Sequence, residues 1–127
     1  MSDFAVLAAI ALLFVLGTFL FFYLANRTND VGDQILTGVV DGVAVSVHHR
    51  MFRLYNYWLS YNGSVVSCMG FLAFVQIQLA GLAGDDGVRI LGYLAALFAA
   101  AAGVGQLVLG ASAFNHYRSV LREAEAD

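Results

Sequence analysis

Residues 88–113 carry one formal charge, Arg89 at their start, and one side-chain amide, Gln106, in 26 positions. At a rise of 1.5 Å per residue, about 20 such residues cross the roughly 30 Å hydrocarbon core of a bilayer. Two other stretches share the property: residues 4–25 hold no charge in 22 positions, and residues 57–81 hold none either. A chain of 127 residues has room for one domain. Only 12% of its residues are charged and 61% are hydrophobic, whereas a soluble domain carries about 25% charged residues. The fold expected is therefore all-α: an integral membrane protein, residues 1–127 as a single membrane domain, with transmembrane helices over about 4–25, 57–81 and 88–113.

Residues 4–25 read as a retained span, not a signal peptide. Asp3 precedes the run where a basic residue is expected, the run is long, and Tyr23 stands where a cleavage site needs a small residue. After it, Asn26, Asn29, Asp30, Gly32 and Asp33 mark a turn, with Asn29 or Asp30 as the cap of a new helix. Over residues 31–49 the spacing predicts an amphipathic helix on the cytoplasmic side. Val31, Ile35, Val39, Val40, Val43 and Val47 share one arc, while Asp33, Gln34, Thr37, Asp41 and His48 share the other. The Val- and Gly-rich stretch 38–47 also suits a strand. A lone strand would leave its backbone hydrogen bonds unmade, which favours the helix. The charged tail, residues 114–127, is expected to continue the third helix briefly.

Orientation follows from the arginines. Arg27, Arg50, Arg53, Arg118 and Arg122 fall on the side of the 26–56 connection and the tail, and only Arg89 on the other. Basic residues concentrate on the cytoplasmic side, so the N-terminus is expected outside and the C-terminus inside, in a bacterial inner membrane. Arg50 and Arg53, followed by Tyr55, Tyr57, Trp58 and Tyr61, are the expected interface anchors.

Candidate sites lie on two seams. On the second span Asn56, Ser60, Gly63, Ser64, Ser67, Gly70, Gln78 and Gly81 fall within a third of the circumference. On the third, Gly92, Ala95, Ala99, Ala102, Gly103, Gln106, Gly110 and Ala113 line up likewise. Small residues let helices approach, and hydroxyls or amides bond across. Matching depths predict a polar layer of Thr18, Ser64 or Ser67, and Gln106, serving as helix glue.

Several chemistries are disfavoured. With no lysine there is no Schiff-base site. A net charge of −3 offers no basic surface for nucleic acid. No carboxylate lies within a span, which argues against proton relays and ion-coupled transport. No Ser/His/Asp or Cys/His set shares a depth, so no enzyme is expected. Cys68 is alone and cannot form an intrachain disulfide. Asp85 and Asp86 read as a solvated turn, and the Asn26 and Asn62 sequons are discounted for their expected positions. His48, His49 and His116 all fall near the inner face; solvated side chains are expected there, with no cofactor or metal, and a quinone or haem as the lesser reading.

Three functions compete. The first is a non-catalytic accessory subunit of a larger membrane complex, its partners being the bilayer and other membrane subunits. The second rests on a resemblance in length and span count to the three-helix anchor subunits of succinate dehydrogenase and fumarate reductase. That resemblance implies a quinone or haem site near the cytoplasmic interface. The third is a homo-oligomeric channel lined by Ser60, Ser64, Ser67 and Gln78.

Overall fold

The computed structural model describes residues 2–40, 43–44 and 47–126, and side chains over residues 2–38 and 49–124. Helix α1 spans Asp3–Thr37; strands β1 (Val39–Val40) and β2 (Val43–Ala44) follow; then come α2 (Val47–Arg53), a π-helical turn (Leu54–Trp58), α3 (Leu59–Leu82) and α4 (Asp86–Ala126). Three helices are long and apolar enough to cross a membrane, over Asp3–Thr37, His49–Leu82 and Asp86–Ala124. Each contains one of the expected spans, so the chain is a multi-pass membrane protein in its architecture.

The three long helices form an antiparallel bundle. The short link after Leu82 sends α4 back along α3, the most extensive helix pair. Gly92 faces Ala80, Gly103 faces Met69 and Val66, and Gly110 faces Asn62, in opposite chain order. Helix α1 runs with α4: Gly17 lies against Leu72 of α3, and Gly32 against the Tyr117 ring of α4. Where α1 begins, Ser2 Oγ accepts the Ala5 N–H at 3.2 Å, an N-cap bond. Asp3 Oδ1 accepts the Gly84 N–H at 2.8 Å, which ties the start of α1 to the α3–α4 link.

Apolar burial concentrates at the two ends. Val6, Ile10, Ala83 and Ala95 close one end. Val31, Ile35, Leu54, Trp58, Tyr117 and Leu121 close the other. With 35 residues in α1 and 41 in α4, both helices exceed the roughly 30 Å of a bilayer core by several turns. The second cluster is built from those overhanging turns.

The connection after the first span differs from the expectation. Among the described residues no separate amphipathic helix covers 31–49, and no turn or cap forms at Asn26–Asp33. The first helix continues unbroken through Asn29, Asp30 and Gly32 to Thr37. Nothing in that stretch forces a break, since the chain has no proline, and Val31 and Ile35 are held by the end cluster. The stop is Gly38, at φ +83°, whose N–H bonds to the Gln34 and Ile35 carbonyls. That left-handed cap favours glycine. The following valines then pair antiparallel, Val39 with Ala44 and Val40 with Val43. The objection to a strand fails because the segment folds back and supplies its own partner. The sequence held the signal in Asp41-Gly42, the dipeptide favoured between short hairpin strands. Asp41 itself lies outside the described residues.

Gly38 is also crowded by the Arg50 guanidinium where a Cβ would stand. Gly38→Ala should therefore cost about 1–2 kcal/mol through the left-handed backbone. Denaturation of the full chain in detergent should show a lower midpoint, whereas Gly63→Ala, with open space at its Cβ, should not lower it.

Candidate functional site

The third-span seam is where the bundle packs. Gly92, Ala95, Gly103 and Gly110 are buried, and Ala99, Ala102, Gln106 and Ala113 are half-buried. A Cβ on Gly92 would stand 2.7 Å from the Ala80 Cβ; one on Gly103 would stand 3.3 Å from the Met69 Cβ. At Gly110 it would meet the Asn62 amide at 2.5 Å. Side chains at these positions would force the helices apart, so glycine sets the spacing.

The second-span seam does the opposite. Asn56, Ser60, Gly63, Ser64, Ser67, Gly70, Gln78 and Gly81 are all exposed, and a Cβ built on Gly63, Gly70 or Gly81 meets nothing within 4 Å. The face of α3 that packs inward carries Asn62, Val65, Met69, Ala73, Gln76 and Ala80. These residues recur at helical spacing on the opposite side.

The expected polar layer is accordingly not assembled. Thr18 is exposed and donates to the Phe14 carbonyl of its own helix at 2.8 Å. Ser64 is exposed and donates to the Ser60 carbonyl at 2.8 Å; Ser67 is exposed too. Gln106 does bond across helices, but to a different residue: its Nε2 donates to Asn62 Oδ1 at 2.7 Å. Asn62, not Ser64, is the residue of α3 that meets Gln106. Ser64 lies two residues from Asn62, about 200° round the helix.

A second buried amide went unnoticed in the sequence. Gln76 is 2% exposed, and its Nε2 donates to the Ile10 carbonyl of α1 at 3.1 Å. Its Oε1 has no partner among the described residues. The available signal was simply an amide inside an apolar run; drawing the seam through glycine and serine selected Gln78 instead.

The interface anchors divide. Arg53 lies over the Tyr57 ring at 4.8 Å, Arg27 over Tyr61 at 5.8 Å and Arg118 over Phe114 at 5.9 Å. Tyr55 and Tyr57 are exposed, and Arg50 and Tyr61 are half-buried. Trp58 is not an exposed anchor. It is 1% exposed and packs against Phe114 and Tyr117, each at 5.8 Å between ring centroids. The π turn, in which the Leu59 N–H reaches the Leu54 carbonyl, turns Leu54 and Trp58 into the end cluster while Tyr55 and Tyr57 stay outside. At the opposite end Arg89 meets Asp86 at 3.5 Å and donates to the Ala83 carbonyl at 2.9 Å.

His49 and His116 are exposed, and the His48 side chain lies outside the described residues. Among the described residues no group of three His, Cys, Asp or Glu side chains is placed to hold a metal ion.

The Asn62–Gln106 bond is measurable as a coupling. Asn62→Ala and Gln106→Ala should each lower stability in detergent. The double variant should lose less than their sum, by about 0.6 kcal/mol and at most about 1.7 kcal/mol. Ser64→Ala with Gln106→Ala should be additive. Comparison of the chain with models of known protein families, with curated proteins and with solved structures finds no match.

Proposed function

We propose that the chain is a non-catalytic subunit of a larger membrane assembly and works by helix packing, with the outer face of α3 as its docking surface. One observation carries this: the small and polar stripe of α3 is exposed along its length, while the equivalent stripe of α4 is filled. Glycine and serine give a lipid-facing surface nothing in packing, but they let a neighbouring helix backbone come close. The polar groups on the stripe are partly quenched within the helix. Ser60 donates to the Asn56 carbonyl at 2.5 Å and Asn56 to the Phe52 carbonyl at 3.0 Å, so the stripe can sit against an apolar partner.

The same stripe favours one other reading. Ser60, Ser64, Ser67 and Gln78 facing a common axis would line a channel if copies of this chain closed into a ring. In either case the arginine-rich end is placed in the cytoplasm of an inner membrane, on the weight of Arg27, Arg50, Arg53, Arg118 and Arg122 against Arg89.

Mild-detergent purification followed by native mass spectrometry separates the readings. The assembly reading expects different membrane subunits travelling with this chain; a ring of identical copies would establish the channel instead, and a lone chain would overturn both. Gly63→Leu with Gly70→Leu should release the partners while leaving the melting of the chain itself unchanged. On intact cells, in a Cys68→Ala background, an impermeant maleimide should label Ser2→Cys and spare Arg122→Cys; the reverse pattern would invert the orientation.

A further inference from the structure

Where α1 leaves the apolar slab, an open cleft of about 500 Å³ lies between it and α3, lined by Tyr23, Leu24, Asn26, Arg27, Asp30 and Tyr61. Arg27 is the first charged residue after Asp3, so the cleft sits where hydrocarbon gives way to headgroups. Its character changes in steps along the helix. Leu24 is apolar, Arg27 cationic and Asp30 anionic, three residues apart each time. Three residues rise about 4.5 Å and are neighbours on one side of a helix. Because α1 runs unbroken from Asp3 to Thr37, that order is also an order in depth: the apolar residue innermost, then the cation, then the anion toward the water.

We propose that this cleft binds the headgroup of a zwitterionic phospholipid with a primary amine, of the phosphatidylethanolamine class. Such a lipid carries its groups in the same order: acyl chains, phosphate, then an ammonium two carbons farther out. The phosphate takes Arg27, whose guanidinium has five N–H donors and can serve several acceptors at once. The Asn26 amide and the Tyr23 and Tyr61 phenols are further donors on the cleft wall. The ammonium takes the Asp30 carboxylate, which can only accept. Asp30 also sets the selectivity. A phosphatidylglycerol headgroup brings a net negative charge beside that carboxylate and no cation to offset it. A choline headgroup has a cation without N–H donors, which is held best by aromatic faces. The Tyr61 face in this cleft is already covered by Arg27, 5.8 Å from the ring centroid.

The test gives the full chain, in nonionic detergent, equal amounts of phosphatidylethanolamine, phosphatidylcholine and phosphatidylglycerol with the same acyl chains. Native mass spectrometry reads which lipid stays bound. Phosphatidylethanolamine should be retained about tenfold over each of the others, the value of one charge-assisted hydrogen bond. Asp30→Asn, at an exposed position, should still hold lipid, with the preference over phosphatidylcholine gone. Arg27→Gln should weaken retention of all three about tenfold, and Asp30→Asn serves alone if that variant does not fold. Glycerophosphoethanolamine, the same headgroup without acyl chains, should not displace the lipid at equal concentration; displacement would make the occupant a soluble amine phosphate and overturn the lipid. Equal retention of the three lipids by the unaltered chain overturns the proposal. So does a preference for either of the other two, a preference that survives Asp30→Asn, or retention of none.

Discussion

The close approach of α3 and α4 is the contact on which the rest of the structure depends. Lipid tails are as apolar as leucine, so two helices in a bilayer gain nothing by hiding apolar surface from each other. What remains is dispersion at short range and a few hydrogen bonds, and both vanish if the backbones stand apart. Gly92, Gly103 and Gly110 bring α4 within contact of Ala80, Met69 and Asn62. Only at that spacing can the Gln106 amide reach Asn62 Oδ1 at 2.7 Å. The α3–α4 hairpin then offers α1 a surface against which Val6 and Ile10 pack at one end, and Val31 and Ile35 at the other.

The two ends are built differently because they meet different demands. At the Asp3 end the closure is short and made by backbone and charge: Asp3 on the Gly84 N–H, Arg89 on the Ala83 carbonyl. At the far end α1 and α4 overhang the apolar slab, and the water-side hydrophobic effect becomes available again. Large side chains are used there accordingly, with Trp58, Leu54, Tyr117 and Leu121 fully or nearly buried. Arginines cover the outside of that cluster by lying over aromatic faces, as Arg53 does over Tyr57. A small-residue middle and an aromatic end thus reflect two solvents acting on one helix bundle.

The spans were legible because length and lack of charge are properties of the chain alone, readable without knowing any neighbour. The connection was not. Residues 31–47 have a helical arc of valines, and the arc misled because Gly38 ends the helix before most of it is used. The glycine's left-handed backbone and the Asp-Gly pair were the local signals that outranked periodicity. On α4, Gly92, Gly103 and Gly110 share one side, and that side lies against α3. Helix α3 has two candidate sides, one small and polar, the other carrying Asn62, Met69, Ala73 and Gln76. Sequence shows both and ranks them by composition. The bundle chose the side whose bulk complements the α4 glycines, and that choice depends on a second helix.

How the chain disposes of its polar side chains explains why the two faces of α3 can coexist. The cheapest solution in lipid is to bond one's own helix, and Thr18, Thr28, Ser60 and Ser64 each donate to the carbonyl four residues back. A hydroxyl so bonded no longer demands a neighbour, which leaves the outer face of α3 free to meet either lipid or a partner. Amides cannot be quenched this way in full, because each brings two donors and an acceptor. Asn62, Gln76 and Gln106 each bond to another helix, while Asn56 bonds the carbonyl four residues back and Gln78 stays exposed. Two of the three find each other. Gln76 finds only a backbone carbonyl, which accepts and cannot donate, and its Oε1 is left without a partner among the described residues.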